Sequence, residues 1–144
     1  MVLDLFSRLV IGWSMQPRMD WELALSALLM ALRRRQPRQT VTVHSDQGSQ
    51  FSSYAWQDFL KAHNMQPSMS RRGNCHDNAV TGSFFQLLKR ERVRRCVYAD
   101  REAARRDIFD YIEMFYNPKC RHGYNNSLSP VDYEQQYFQR LECV

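Results

Sequence analysis

HSDQGSQF (His44–Phe51), read together with CHDNAVTGSFFQLLK (Cys75–Lys89), decides the fold of this chain. The alternating β-branched residues in front of the first segment predict a short strand that ends in a carboxylate, Asp46, and is followed by a turn. A charge at a strand end can reach a cleft. The second segment predicts a helix, and 35 residues separate Asp46 from position 82, which is Gly82.

This pair of segments resembles the integrase-core (DDE, retroviral-integrase-like) transposases of bacterial insertion sequences. In that family the strand aspartate is followed, after 35 intervening residues, by a helical glutamate in a DNAVxESFF-like segment, and Gly82 occupies the position of that glutamate. The tail NPKCRHGYNNSLSPVDYE (residues 117–134) is similar to the C-terminal signature of the same family, with Cys120 at a usual arginine. The resemblance covers essentially the whole chain. It implies that the chain corresponds to the C-terminal part of the transposase product that is translated from the second reading frame.

The resemblance implies a catalytic site of three acids that bind Mg²⁺ or Mn²⁺. Two divalent ions about 3.5–4 Å apart activate the attacking oxygen and stabilise the leaving oxygen in such chemistry. Of the three acids only Asp46 has a match. The first-strand acid is expected upstream of VLDLFSRLVIGW, and the first central strand is therefore expected to be missing, while Asp4 is interpreted as a turn residue. We expect metal binding to be weak or absent.

Two other acids, Asp77 and Glu91, are poor substitutes for the missing helical carboxylate. Asp77 lies at or before the predicted helix start. Glu91 lies nine residues beyond Gly82, which corresponds to a rotation of about 180° around the helix. Gly82 also costs about 1 kcal/mol of helix propensity relative to Ala.

Positive charge is concentrated between Arg71 and Arg106, where the sequence has ten Lys or Arg residues and only four Asp or Glu residues. Such a segment suits a phosphate backbone, because each neutralised phosphate releases counterions; the alternative is a solvated helix face. The resemblance implies DNA as the partner, both transposon ends and target, because Gln86 and Lys89 match DNA-contacting positions by their offset from the glutamate. The predicted DNA-binding residues are Arg71, Arg72, Asn78, Gln86, Lys89, Arg90, Arg121 and His122.

Hydrophobic periodicity predicts a succession of strands and helices. The predicted strands are 1–5, 9–15, 40–45 and 65–70, with Pro67 confining the last to an edge or a strand start. The predicted helices are about 20–35, 53–64, 78–93 and 100–116, followed by a loop at Asn117-Pro118 and a last helix opened by Ser129-Pro130. Phe84, Phe85 and Leu88 are expected to be buried, and His63 is interpreted as a packed histidine rather than a ligand.

The predicted fold class is α/β, a ribonuclease-H-like integrase catalytic core with the first central strand missing, plus C-terminal helices. Residues 1–116 are interpreted as the truncated core and residues 117–144 as a C-terminal extension of the same domain. A missing central strand would leave two unpaired sheet edges, which invite pairing with another chain.

Composition places the chain among globular proteins of one domain, because 144 residues with 44% hydrophobic content can bury a core. No apolar run approaches the roughly 20 residues of a membrane span, and a cytoplasmic location is expected. The four cysteines show no zinc-ligand spacing with the histidines. They are interpreted as reduced thiols.

Several functions compete. The first is an integrase-core transposase domain for DNA transposition and integration, here catalytically defective because Gly82 and the first strand supply no acid. The second is a non-catalytic DNA-binding or assembly module, either an inhibitor or an interaction partner of a full-length transposase. The alternative to it is a pseudogene remnant with no selected role. A ribonuclease-H-type nuclease is disfavoured because it needs the same carboxylates. Either leading function implies a homo-oligomer or association with full-length transposase, and no membrane partner.

Overall fold

The computed structural model describes residues 1–16, 21–45, 51, 53–69 and 79–142. These residues combine helices with two small sheets, a mixed α/β content that is mostly helical. They belong to two compact units: unit 1 contains Met1–Val2 and Ile11–Gly82, and unit 2 contains Leu3–Val10 and Ser83–Val144. The domain boundary predicted at residue 116 stays a prediction.

The chain opens with a hairpin of two short strands, β1 (Val2–Leu3) and β2 (Val10–Gly12). The Oδ1 atom of Asp4 accepts a hydrogen bond from the backbone N–H of Phe6 at 2.8 Å, and this contact starts the turn. The interpretation of Asp4 as a turn residue is therefore confirmed. Both strands are shorter than predicted: the turn takes Asp4 and Leu5 from the end of the first, and the second ends at Gly12 rather than at residue 15.

In unit 1, strands β3 (Val41–Ser45) and β4 (Met65–Met69) pair in parallel, from Val41 opposite Met65 to Ser45 opposite Met69. Helix α2 (Tyr54–Ala62) connects them. Among the described strands β4 pairs with β3, and Pro67 lies in the middle of β4, opposite Val43. The described part of the chain shows no pairing between this sheet and the hairpin, and the missing central strand stays a prediction.

The core of unit 1 lies between helices and sheet. Helix α1 (Trp21–Arg35) and α2 contribute Leu28, Trp56 and Leu60, and these pack with Met65 of β4. Gly12 of β2 lies so close to α1 that an added Cβ would overlap the carbonyl oxygen of Ala27. His63, interpreted as a packed histidine, lies just after α2, where its ring is exposed on one side and packs on that of Phe59.

Helix α3 (Ala79–Glu91) leads into unit 2 and buries Phe84 and Leu88. Phe85 is 37% exposed, so the prediction that it is buried is wrong. Residues three or four apart share a helix face, whereas adjacent residues diverge by about 100°, and only one of two consecutive phenylalanines can be central to the core. Phe84 packs edge-on against Tyr116, with ring centroids 4.8 Å apart.

The remaining elements of unit 2 are helical. A 3₁₀ turn (Val93–Arg95) precedes α4 (Arg101–Phe109), which Asp100 caps by accepting from the N–H of Ala103 at 2.8 Å. The predicted helix 100–116 changes to a π-helix at Asp110–Tyr116, and the predicted loop at Asn117-Pro118 is instead α5 (Asn117–Lys119). A 3₁₀ turn (Gly123–Asn125) follows. Helix α6 (Pro130–Glu142) completes the unit, with Ser129 accepting from the N–H of Asp132.

Asn117 ties the hairpin to the helices of unit 2. Its Oδ1 accepts from the N–H of Val10 at 2.9 Å, and its Nδ2 donates to the C=O of Val10 at 3.0 Å. Both residues are buried. The amide therefore satisfies both backbone groups of one strand residue, as a neighbouring strand would.

Candidate nucleic-acid interface

Strands β3 and β4 are parallel, so their carboxyl ends lie at the same end of the sheet. Ligands of α/β proteins bind at this end of a parallel sheet. There the Nδ1 atom of His44 lies 3.1 Å from the Oγ atom of Ser68, its register partner on β4. Asp46, the predicted surviving acid, follows Ser45 by one position in the sequence and lies outside the described residues. Its role as a catalytic and metal-binding residue stays a prediction.

Gly82, the predicted vacated glutamate position, lies on α3 in an open environment. The residue is exposed, and among the described residues a Cβ added to it would meet no atom within 4 Å beyond the backbone of its own helix. The structure thus leaves room for a side chain that the sequence does not supply. Gly82 itself can neither bind a metal ion nor transfer a proton.

Gln86 and Lys89 follow Gly82 on the same face of α3, and all three residues are exposed. Intervals of four and three residues keep them on one stripe about 10 Å long. Arg90 is also exposed and lies on the adjacent face, with its guanidinium 3.7 Å from the carboxylate of Glu91. The helix therefore presents an amide and two cations to solvent beyond the open position.

Glu91 is directed away from this stripe. It accepts a hydrogen bond from the hydroxyl of Tyr111, at 3.1 Å, in the core of unit 2. Burial, followed by the charge of Glu91, raises the pKa of the Tyr111 phenol. Because Glu91 serves this buried hydroxyl, it is not a substitute for a carboxylate at position 82, as its angular position on the helix predicted.

Arg121 and His122 lie on the segment between α5 and α6. Arg121 is exposed, whereas the ring of His122 packs edge-on against Tyr116 with centroids 5.1 Å apart, and its Nε2 atom is buried. Burial and the nearby charge of Arg8 lower the pKa of His122. Arg121 is thus placed to meet a solvent-side ligand. His122 is held by its backbone pairing with Leu128 and by the aromatic core.

The sequence interpretation missed an arrangement around Asp107. Its Oδ1 atom accepts from Arg92 at 2.7 Å, and its Oδ2 atom accepts from the hydroxyl of Tyr98 at 2.5 Å. The Arg92 guanidinium also lies 5.6 Å from the centroid of the Tyr111 ring. The charge count over residues 71–106 predicts that the segment is basic but not which charges form ion pairs. Asp107 lies 15 residues from Arg92 in the sequence and reaches it only in the folded chain.

The other predicted site residues, Arg71, Arg72 and Asn78, lie outside the described residues, as does Asp77. Within residues 1–16, 21–45, 51, 53–69 and 79–142, no group of three His, Cys, Asp or Glu side chains could hold a metal ion. The described part of the site therefore consists of the open position, the polar stripe of α3 and exposed cations.

Comparison with known protein families gives two matches, each described as an integrase core domain, over residues 1–75 and residues 82–138. Individual relatives are named transposases. The chain is 48% identical over 135 residues to "Transposase InsF for insertion sequence IS3fB" of Escherichia coli (strain K12), which covers 94% of this chain and 47% of that protein.

A second relative comes from another bacterium. The chain is 41% identical over 133 residues to "Transposase for insertion sequence element IS904" of Lactococcus lactis subsp. lactis (strain IL1403), covering 92% of this chain and 53% of that protein. The chain thus spans about half the length of these relatives. None of the described helices is long and apolar enough to cross a membrane.

Proposed function

Because the chain belongs to the integrase core domain family, we propose that it acts on DNA as the integrase core of an insertion-sequence transposase. The observation that carries the proposal is the pair of family matches, which together extend over nearly the whole chain. The transposase relatives do not favour the alternatives of an inhibitor or a pseudogene remnant. The fold class that follows is ribonuclease-H-like.

The proposed DNA contact follows the exposed stripe of α3. Lys89 and Arg90 supply positive charge, and Gln86 supplies an amide that can donate to a phosphate oxygen. Arg121 adds a further exposed cation. On the family resemblance we further propose Arg71, Arg72, Asn78 and His122 as DNA-binding residues, with transposon ends and target DNA as the ligands.

The proposed defect lies at position 82. Integrase core proteins generally use divalent metal ions, which hard carboxylate ligands bind. Gly82 offers no ligand, and the described residues gather no alternative set of three. The residues described do not fit a complete metal site. We therefore propose that this chain binds DNA and does not itself cut it, with Asp46 the family acid that it retains.

The cellular setting of the proposal is a cytoplasmic protein that acts with further copies of itself or with a full-length transposase. Two-ended DNA substrates are held together most simply by a symmetric assembly.

Binding to labelled duplex DNA of arbitrary sequence, measured by fluorescence anisotropy over a series of salt concentrations, tests the DNA-binding proposal. We expect log K to fall linearly with log salt, and Lys89→Gln to reduce the slope by about 0.9, the contribution of one phosphate contact. Lys61→Gln is the matched control, because Lys61 is equally charged and exposed but lies on α2. Binding that does not depend on salt would refute the proposal.

A further inference from the structure

The segment Arg92–Tyr98 forms a closed loop, which we call the latched loop. Both of its ends are bonded to one carboxylate, that of Asp107 on α4, through the Arg92 guanidinium and the Tyr98 hydroxyl. Backbone bonds support its start, from the N–H of Arg92 to the C=O of Leu88 and from the N–H of Arg95 to the C=O of Arg92. The loop therefore has a fixed base.

The middle of the latched loop faces solvent. Arg94, Arg95 and Cys96 are exposed, and Val97 is exposed as completely as in an unfolded chain. Arg92 is different, because its charge is matched by Asp107 and its guanidinium lies over the Tyr111 ring. The loop thus uses one arginine for its own structure and presents two others outward.

Residues 89–107 keep an excess of positive charge after their ion pairs are counted. Between residues 89 and 107 the sequence has eight Lys or Arg residues and four acids. Three of the cations are in ion pairs, Arg90 with Glu91, Arg92 with Asp107 and Arg106 with Glu102. The fourth acid, Asp100, caps α4. The five cations that have no ion pair within the described residues are Lys89, Arg94, Arg95, Arg101 and Arg105.

Arg101 and Arg105 are two further exposed cations on α4, but at 100° per residue they lie about 120° and 160° around the helix from Asp107, away from the side that holds the latched loop. They are four residues apart on one helix and both are exposed, so they share a face. Guanidinium groups bind phosphate through paired N–H donors. A loop that is already ordered pays less entropy to hold these groups against a ligand.

We propose that the latched loop, through Arg94 and Arg95, is a second phosphate-binding surface for the backbone of duplex DNA, and that Asp107 and Tyr98 position it. This inference rests on the proposed DNA-binding function and adds a contact outside the α3 stripe. Because the surface offers cations on a fixed base, its recognition of DNA is independent of base sequence.

The first test replaces both outward arginines, Arg94→Gln with Arg95→Gln, and measures binding to labelled duplex DNA over a range of salt concentrations. We expect the slope of log K against log salt to decrease by about 1.8, because each phosphate contact contributes about 0.9. The matched control is Arg33→Gln with Arg38→Gln, which removes the same charge from exposed positions at and after the end of α1. We expect the control to retain the original slope.

The outcomes separate this inference from the proposed function. If the unaltered chain binds and the Arg94/Arg95 variant keeps the slope of the control, the latched loop does not contact phosphate, while DNA binding itself stands. If the unaltered chain shows no salt-dependent binding, both proposals are refuted. Equal losses of slope in both double variants would indicate a diffuse charge effect and would also overturn the assignment to the loop.

The second test concerns positioning and uses Tyr98→Phe, which removes one bond to Asp107 without changing any charge. We expect Kd to increase about two- to tenfold, the cost of ordering one or two rotamer-rich side chains, with the salt slope unchanged. Phe substitution at Tyr54, which is 89% exposed on α2, is the control. An unchanged Kd for Tyr98→Phe would show that the latch does not position the arginines.

Discussion

The two faces of α3 differ in burial and in the kind of residue that they carry. The inner face carries Phe84 and Leu88, which are 1% and 5% exposed and pack in the core of unit 2. The outer face carries Gly82, where an added Cβ would meet no described atom within 4 Å outside its own helix, and the polar residues that follow it. The comparison shows that the residues on which folding depends are separate from the residue on which metal chemistry would depend. The fold can therefore persist without a carboxylate at position 82.

The sharpest way to test this comparison is to truncate the two neighbouring phenylalanines of α3 separately. Phe84→Ala should lower the free energy of unfolding by about 3–5 kcal/mol, because it leaves a cavity among aromatic side chains. Phe85→Ala should cost about 1 kcal/mol, since Phe85 is already 37% exposed. Urea-induced unfolding followed by circular dichroism measures both. Equal costs would show that the helix is rotated from the orientation described.

Asn117 should be nearly as sensitive as Phe84. Asn117→Ala leaves the buried N–H and C=O of Val10 without their partners, and we expect a loss of about 3 kcal/mol. Gln139→Ala on the exposed part of α6 is the control and should change the free energy of unfolding by less than about 0.5 kcal/mol. A small effect of Asn117→Ala would mean that water replaces the amide.

The two glycines for which the local space differs most should respond to alanine with opposite signs. Gly12→Ala should destabilise by about 1–3 kcal/mol, since the new methyl group would overlap backbone atoms of α1. Gly82→Ala should stabilise by about 1 kcal/mol through helix propensity alone. Thermal unfolding of both variants measures the difference. Destabilisation by Gly82→Ala would contradict the open environment of that position.

The smallest expected effect is a dependence of the free energy of unfolding on pH, which comes from His122. Its pKa is lowered from 6.5 in the folded chain by burial and then by Arg8, so the unfolded chain binds the proton more readily. Stability should therefore fall as the pH is lowered below about 6.5, until the folded-state pKa is passed. His122→Gln should make this loss shallower. Urea unfolding between about pH 7 and pH 5.5 measures the slope.

Local signals in the sequence predicted most helix starts. Ser53, Asp100 and Ser129 each accept a hydrogen bond from a backbone N–H near the start of the helix that follows. These caps were predictable because they depend on a few adjacent residues. The family and the open position were predictable from two segments at a fixed spacing, and the angular position of Glu91 followed from helix geometry.

Features that depend on distant residues were not predictable from local pattern. The change to a π-helix at Asp110 has no marker in a periodic apolar stretch. The dipeptide Asn117-Pro118 predicts a loop, because the local sequence does not show that the Asn117 amide pairs with Val10, 107 residues away. The latch of Asp107 joins residues nine and 15 positions away. Only the folded chain distinguishes the arginine that serves the structure from the two that face solvent.

The central claim, that this chain binds DNA without cutting it, is tested most directly by incubating it with supercoiled plasmid and Mg²⁺ or Mn²⁺ under conditions where anisotropy shows binding. We predict binding that weakens steeply with salt and no nicked product, because position 82 supplies no metal ligand. Metal-dependent nicking that Asp46→Asn abolishes would contradict this account.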